Sequence, residues 1–148
     1  MNNYPVWWDN TITIYNKYED EQTHIISWYR KVLDKCFFKN VGNKVSINNV
    51  ELETDDTICR IPKKDDYMKP HLWVALPNDQ KSEYFTIRVG DIIVPDEIQE
   101  DINEYIEGHR STDFIAKYKN LQGCITVEAV GNNTGIGRGN EHYRVSGK

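Results

Sequence analysis

From Ile25 to Phe38 apolar side chains occupy both alternating positions of the chain. Ile26, Trp28, Val32, Cys36 and Phe38 share one parity, and Ile25, Tyr29, Leu33 and Phe37 share the other. A strand with one wet face alternates strictly, so this pattern requires a long strand covered on both sides, or one that bends between two sheets. A helix would tolerate the Trp28–Leu33 portion, but the β-branched and aromatic content favours a strand. The layers that cover it fit within one domain, because 148 residues bury a core that needs neither metal nor disulfide.

The neighbouring segments repeat the strand signal. Thr11-Ile12-Thr13-Ile14-Tyr15 alternates, with Ile12 and Ile14 on one face. Val45-Ser46-Ile47 and Val50-Glu51-Leu52 form two short arms around Asn48-Asn49, a pair that suits a tight hairpin because Asn tolerates positive φ. Thr54-Asp55-Asp56 reads as another turn, leading into a strand from Thr57 to Ile61. Pro62 to Pro70 reads as an exposed, mobile loop carrying Lys63, Lys64, Tyr67 and Lys69. Leu72–Leu76, Tyr84–Ile87 and Asp91–Val94 follow as short strands, with Gly90-Asp91 the turn between the last two.

The pattern then changes to helical spacing. Ile98, Ile102, Tyr105 and Ile106 recur along one helix face, with Glu97, Glu100, Asp101 and Glu104 on the wet side, Asp96 as N-cap and Gly108 as stop. Ser111 is placed to cap a second helix that turns Phe114, Ile115 and Tyr118 inward. Strands return at Cys124–Val127 and His142–Val145, separated by a mobile Gly/Asn-rich loop from Gly131 to Asn140. The order predicts a mainly β fold, a barrel or sandwich, forming a single domain over 1–148. It carries a helical insert near 96–120 and exposed loops at 62–70 and 131–140. The expected core includes Ile12, Ile14, Trp28, Val32, Val74, Ile92 and Val127.

Chemistry is sparse in this pattern. A formal net charge of −5 argues against a free-standing DNA binder that works by neutralising phosphates. His24, His71, His109 and His142 show no metal-binding spacing and no CxxC accompanies them, so neither metal nor cofactor is expected. Cys36, Cys59 and Cys124 are widely spaced among apolar residues, as buried free thiols would be. The glycines from Gly131 to Gly139 could cradle a phosphate, but a strand follows where a dinucleotide loop needs a helix, and Gly-Lys-Ser/Thr is missing. No serine sits in a nucleophile motif, and no catalytic residue is nominated. No apolar run spans a membrane, and the first residues lack signal-peptide character. Tyr4-Pro5-Val6-Trp7-Trp8 is harder to leave in water: its tryptophans either pack on the barrel or anchor on a neighbour.

The segments Tyr4-Pro5-Val6-Trp7-Trp8-Asp9 with Thr11–Tyr15, Trp28-Tyr29-Arg30-Lys31-Val32-Leu33, Gly90–Val94 and Gly137–Val145 carry a resemblance. Nearly the whole chain resembles an uncharacterised family of small structural proteins from phages and prophages of Gram-positive bacteria. More distantly it is similar to siphophage head-closure and other head–tail connector or minor capsid proteins. Lys31 stands where such sequences often have Thr, and the 96–120 insert is longer than in the smallest of them. The resemblance implies a small barrel whose copies form a ring in the virion neck, sealing the DNA-filled head and docking the tail.

Its implied partners are other copies of itself, portal or adaptor proteins and tail proteins, with packaged DNA passing nearby without sequence-specific binding. Its implied location is the virion, assembled in the bacterial host cytoplasm. Tyr4, Trp7, Trp8, Lys63, Lys64, Tyr67, Lys69 and Arg138 are the partner-interface candidates, since ring subunits reach neighbours through loops and termini. The competing readings are a tail-completion or minor capsid protein, a small-barrel nucleic-acid binder and, last, an enzyme.

Overall fold

A computed structural model describes residues 8–47, 50–134 and 141–148, and in 40–47, 50–56 and 120–122 only the course of the backbone. Its elements run β1 (Asn10–Glu19), β2 (Ile26–Ile47), β3 (Val50–Pro62), α1 (Pro70–Val74), β4 (Ile92–Val94), α2 (Ser111–Gln122), β5 (Ile125–Asn133) and β6 (His142–Gly147). The fold is mainly β, as the sequence predicts, and antiparallel pairing closes the strands in the order β1-β2-β3-β6-β5-β4.

The double-parity stretch is a strand that passes between two pairings. Residues 26–36 of β2 pair with β1, and Phe37 to Ile47 pair with β3. The changeover is a bulge: Asn10 pairs with Cys36 but Ile12 with Leu33, and Lys35 adopts φ 61°. An extra residue on one strand sharpens the local bend, which lets β2 leave one partner for the next.

β1 is buried on both faces. Ile12 and Ile14 enter the barrel interior with Leu33, Cys36, Cys59, Ile61, Phe85, Ile93, Val127 and Val145. Tyr15 belongs to a second, outer cluster with Ile92, Val94, Ile98, Ile102, Phe114 and Cys124, roofed by α2. Of the expected core, Ile12, Ile14, Ile92 and Val127 are buried, whereas Trp28, Val32 and Val74 are half-buried at the margin.

Five local expectations are corrected. Residues 96–110 are not helical. The Thr13 hydroxyl donates to the Asp96 carbonyl at 2.6 Å and accepts the Ile98 N–H at 2.9 Å, and the Tyr15 hydroxyl donates to the Glu100 carbonyl at 2.5 Å. Backbone groups held by β1 side chains are lost to a helical ladder. The insert is therefore one helix, α2, with Arg110 rather than Ser111 at its N-cap and Gly123 closing it at φ 72°.

Leu72–Leu76 is likewise no strand. Pro70 opens the single-turn helix α1, which sinks Trp73 between Tyr18 and Tyr29. Tyr84–Ile87 contributes one bridge, Phe85 to Tyr67, instead of a ladder. The Asn16 amide supplies the missing pairing, donating to the Thr86 carbonyl at 2.7 Å and accepting the Thr86 N–H at 3.2 Å. Thr54-Asp55-Asp56 is strand, paired with Asn43, Gly42 and Val41. Gly131–Asn133 is strand as well, so the Gly/Asn-rich loop starts later than expected. Its residues 135–140 lie outside the described residues.

Candidate functional site

The β2–β3 ladder is longer than the barrel that carries it. β6 pairs with β3 only over Thr57–Pro62, while β2 and β3 continue to pair from Val41↔Asp56 to Ile47↔Val50. Among the described residues no third strand flanks this arm, which extends about 20 Å at ~3.3 Å per residue. Val45 stands opposite Leu52 and Ile47 opposite Val50, and on the alternate positions Lys44 stands opposite Glu53 and Ser46 opposite Glu51. The register places Val41/Asp56, Asn43/Thr54, Val45/Leu52 and Ile47/Val50 at positions on one face of the ribbon, and Gly42/Asp55, Lys44/Glu53 and Ser46/Glu51 at positions on the other. The expectation of short arms around Asn48-Asn49 holds only for the hairpin itself, and those two residues lie outside the described ones.

A polar groove of about 490 Å³ lies beside β2, lined by Val32, Leu33, Asp34, Lys63, Lys64, Asp65 and Asp66. Lys63 pairs with Glu141 at 3.3 Å, and Lys31 bonds Asp66 across the groove's edge at 3.2 Å. Two lysines therefore share the groove with three aspartates, which removes the single-sign field that gripping a phosphate backbone needs.

The segment behind these residues is not a freely exposed loop. Met68 N–H donates to the Phe85 carbonyl at 2.9 Å, Phe85 N–H to the Asp66 carbonyl at 3.0 Å, and Lys63 N–H to the Glu141 carbonyl at 3.0 Å. Tyr67 is half-buried, its ring 4.2 Å from Tyr143 and 5.6 Å from Phe85, which takes it off the list of free surface anchors. Lys69 remains exposed at the start of α1.

The other interface candidates divide similarly. Trp8 is 7% exposed, edge-on to His142 at 5.3 Å and 6.4 Å from Phe37, so it belongs to the barrel's own packing rather than to a neighbour. Tyr4, Trp7 and Arg138 lie outside the described residues.

The buried ionisable groups serve the fold. Desolvation pushes Cys36 up to about 12, Cys124 to about 11 and Cys59 well above the ordinary thiol range, which favours the protonated form of three buried thiols. Asp91, 1% exposed, accepts the Lys17 N–H at 3.0 Å, the Arg88 N–H at 2.8 Å and the Asn16 amide at 2.9 Å. That clasp ties the Gly90 turn, at φ 98°, to β1. A carboxylate so enclosed and bonded has no reach to a substrate. Among the described residues no three His, Cys, Asp or Glu side chains gather as a metal site, and no helix is long and apolar enough to cross a membrane.

The molecule is thus a small antiparallel β-barrel that presents a two-stranded arm and a charge-balanced groove. Over residues 7–148 it matches a family described as a family of unknown function, DUF6751, and the chain belongs to that family. No curated protein and no solved structure matches it.

Proposed function

We propose that this protein is a bacteriophage neck component, a head-closure or head–tail connector subunit that joins copies of itself into a ring, seals the DNA-filled head and docks the tail. The observation that supports this reading is the β2–β3 arm. A two-stranded ribbon is marginally stable in water, and its outer edges carry unpaired backbone donors and acceptors. Such an arm gains most of its stability when a neighbouring chain packs on one of its faces or adds to an edge. A ring subunit has such a neighbour by construction.

Two further observations agree with it. The groove at Lys63 and Lys64 is balanced in charge and the chain is acidic overall, so DNA passing nearby would meet a surface that does not hold it. The buried thiols and the enclosed Asp91 are spent on the fold, as a structural subunit requires. Particles induced from a strain that encodes the chain, carrying an epitope tag at Lys148, test the role. Tag antibodies should decorate one site between head and tail. Purified particles without the chain would overturn it.

A further inference from the structure

We infer that copies of this chain associate head to tail through their arms, the free edge of β3 over residues 50–56 of one copy adding antiparallel to the free edge of β2 over residues 39–47 of the next. This deepens the ring-subunit reading and rests on it for its biological setting.

The two strands of the arm lose their outer partners at the barrel rim. β1 ends its pairing with β2 at Asn10↔Cys36, and beyond it the Phe38 N–H donates to the Asn10 side-chain carbonyl at 3.3 Å. From residue 39 to 47, β2 is paired only with β3 among the described residues. β6 leaves β3 at Thr57↔Gly147, so residues 50–56 are likewise paired only with β2. The backbone donors and acceptors along such edges are a template on which another chain adds as a strand.

Charge selects the occupant. Residues 50–56 of β3 include Glu51, Glu53, Asp55 and Asp56 and no basic residue, whereas residues 39–47 of β2 include Lys39 and Lys44 and no acidic one. Opposite charges on adjacent strands stabilise a pair, and like charges directly opposed destabilise it. Two β3 edges would set carboxylates against carboxylates, and two β2 edges lysines against lysines. Only β3 on β2 joins unlike charges, the pairing each hairpin already makes where Lys44 stands opposite Glu53. Because β2 and β3 run in opposite directions, arms that lie side by side and point the same way present β3 to β2 antiparallel and continue the ladder within each copy. Every such pair leaves one β2 edge and one β3 edge open, so the contact is heterologous and propagates until a rotation closes it into a ring. Closure then leaves no arm with a free edge.

The test is a charge exchange on the full chain, read by light scattering across a concentration series. The wild type should associate, and high salt should weaken it. A Lys44→Glu copy and a Glu51→Lys, Glu53→Lys copy should each associate about tenfold more weakly than wild type. Their equimolar mixture should recover wild-type association, because each supplies the charge that the other's edge now needs. Both variants also disturb the opposition of Lys44 and Glu53 inside the arm, which mixing does not repair, so recovery reports the contact between copies. A chain with residues 41–56 replaced by Asn-Gly should stay monomeric. A monomeric wild type, an arm-excised chain that associates as wild type does, or a mixture no tighter than its two components overturns the inference. So does a Glu51→Lys, Glu53→Lys copy that associates more tightly alone than wild type, the mark of β3 paired with β3. A phage lacking the gene yet yielding normal virions would remove the neck role and leave this contact measurable. Failed recovery beside a neck defect would remove the contact alone.

Discussion

The Asp91 carboxylate accepts a hydrogen bond from the Asn16 side-chain amide at 2.9 Å, across 75 residues of sequence. The same Asn16 also pairs with the Thr86 backbone, so one side chain of β1 organises the whole approach to β4. Replacing Asp91 by Ala would take the acceptor from the part-buried Lys17 and Arg88 N–H groups and leave the buried Asn16 amide with the Thr86 carbonyl alone. Asp91→Ala should lower stability in urea unfolding by ~2–4 kcal/mol. A loss below about 1 kcal/mol would show that the clasp is dispensable.

The burial of the same carboxylate predicts the sign of its contribution to the pH dependence of the fold. Burial, the largest influence, pushes Asp91 up to about 6 against the pull of its three donors. Between roughly pH 4 and 6 the folded chain then binds this proton more readily than the unfolded one. Its contribution to stability rises as pH falls through about 6 and levels off near the unfolded value, about 4. Relative to Asp91→Asn, the wild type should gain ~1–3 kcal/mol between pH 7 and pH 4. A wild type that loses ground to the variant on acidification would reverse the assignment.

Trp8 separates packing from docking. Because it is buried against His142 and Phe37, Trp8→Ala should cost ~3 kcal/mol of stability whether or not the chain assembles. Unfolding midpoints of the isolated subunit decide this, and an unchanged midpoint would return Trp8 to the interface.

Excising the arm should uncouple folding from assembly. Joining Asn40 to Thr57 through an Asn-Gly turn keeps every pairing of β3 with β6. The shortened chain should melt within a few degrees of wild type and fail to complement a phage lacking the gene. Full complementation would show that the arm has no part in assembly.

What the sequence made legible follows from the range over which each signal acts. The double parity of Ile25–Phe38 is a direct trace of burial, and the bend between two partners was one of its two stated meanings. Ile98 and Ile102 misled because their spacing suits a helix, while the groups that unmake it, Thr13 and Tyr15, are distant in sequence. Over five residues the Leu72–Leu76 alternation is equally consistent with one helical turn, and Pro70 was the signal that distinguished them. Tyr84–Ile87 has strand composition without a strand partner, a fact held by the Asn16 amide. At Thr54-Asp55-Asp56 turn-forming composition gave way to a partner, Val41–Asn43, that only the long hairpin register supplies. Of the interface candidates, Trp8 is buried and Tyr67 half-buried against the barrel's own aromatics, since aromatic residues signal burial without naming what buries them. The exposed set at Ile25, Tyr105 and Ile106 escaped notice, since two of its members were read as the inner face of a helix.

The neck assignment meets its most direct test in electron microscopy of the lysate from a phage deleted for this gene. DNA-filled tailless heads, or emptied unjoined heads, beside free tails are the predicted result, because the defect lies in sealing and docking after the capsid is built. Normal numbers of joined, infectious virions would contradict it.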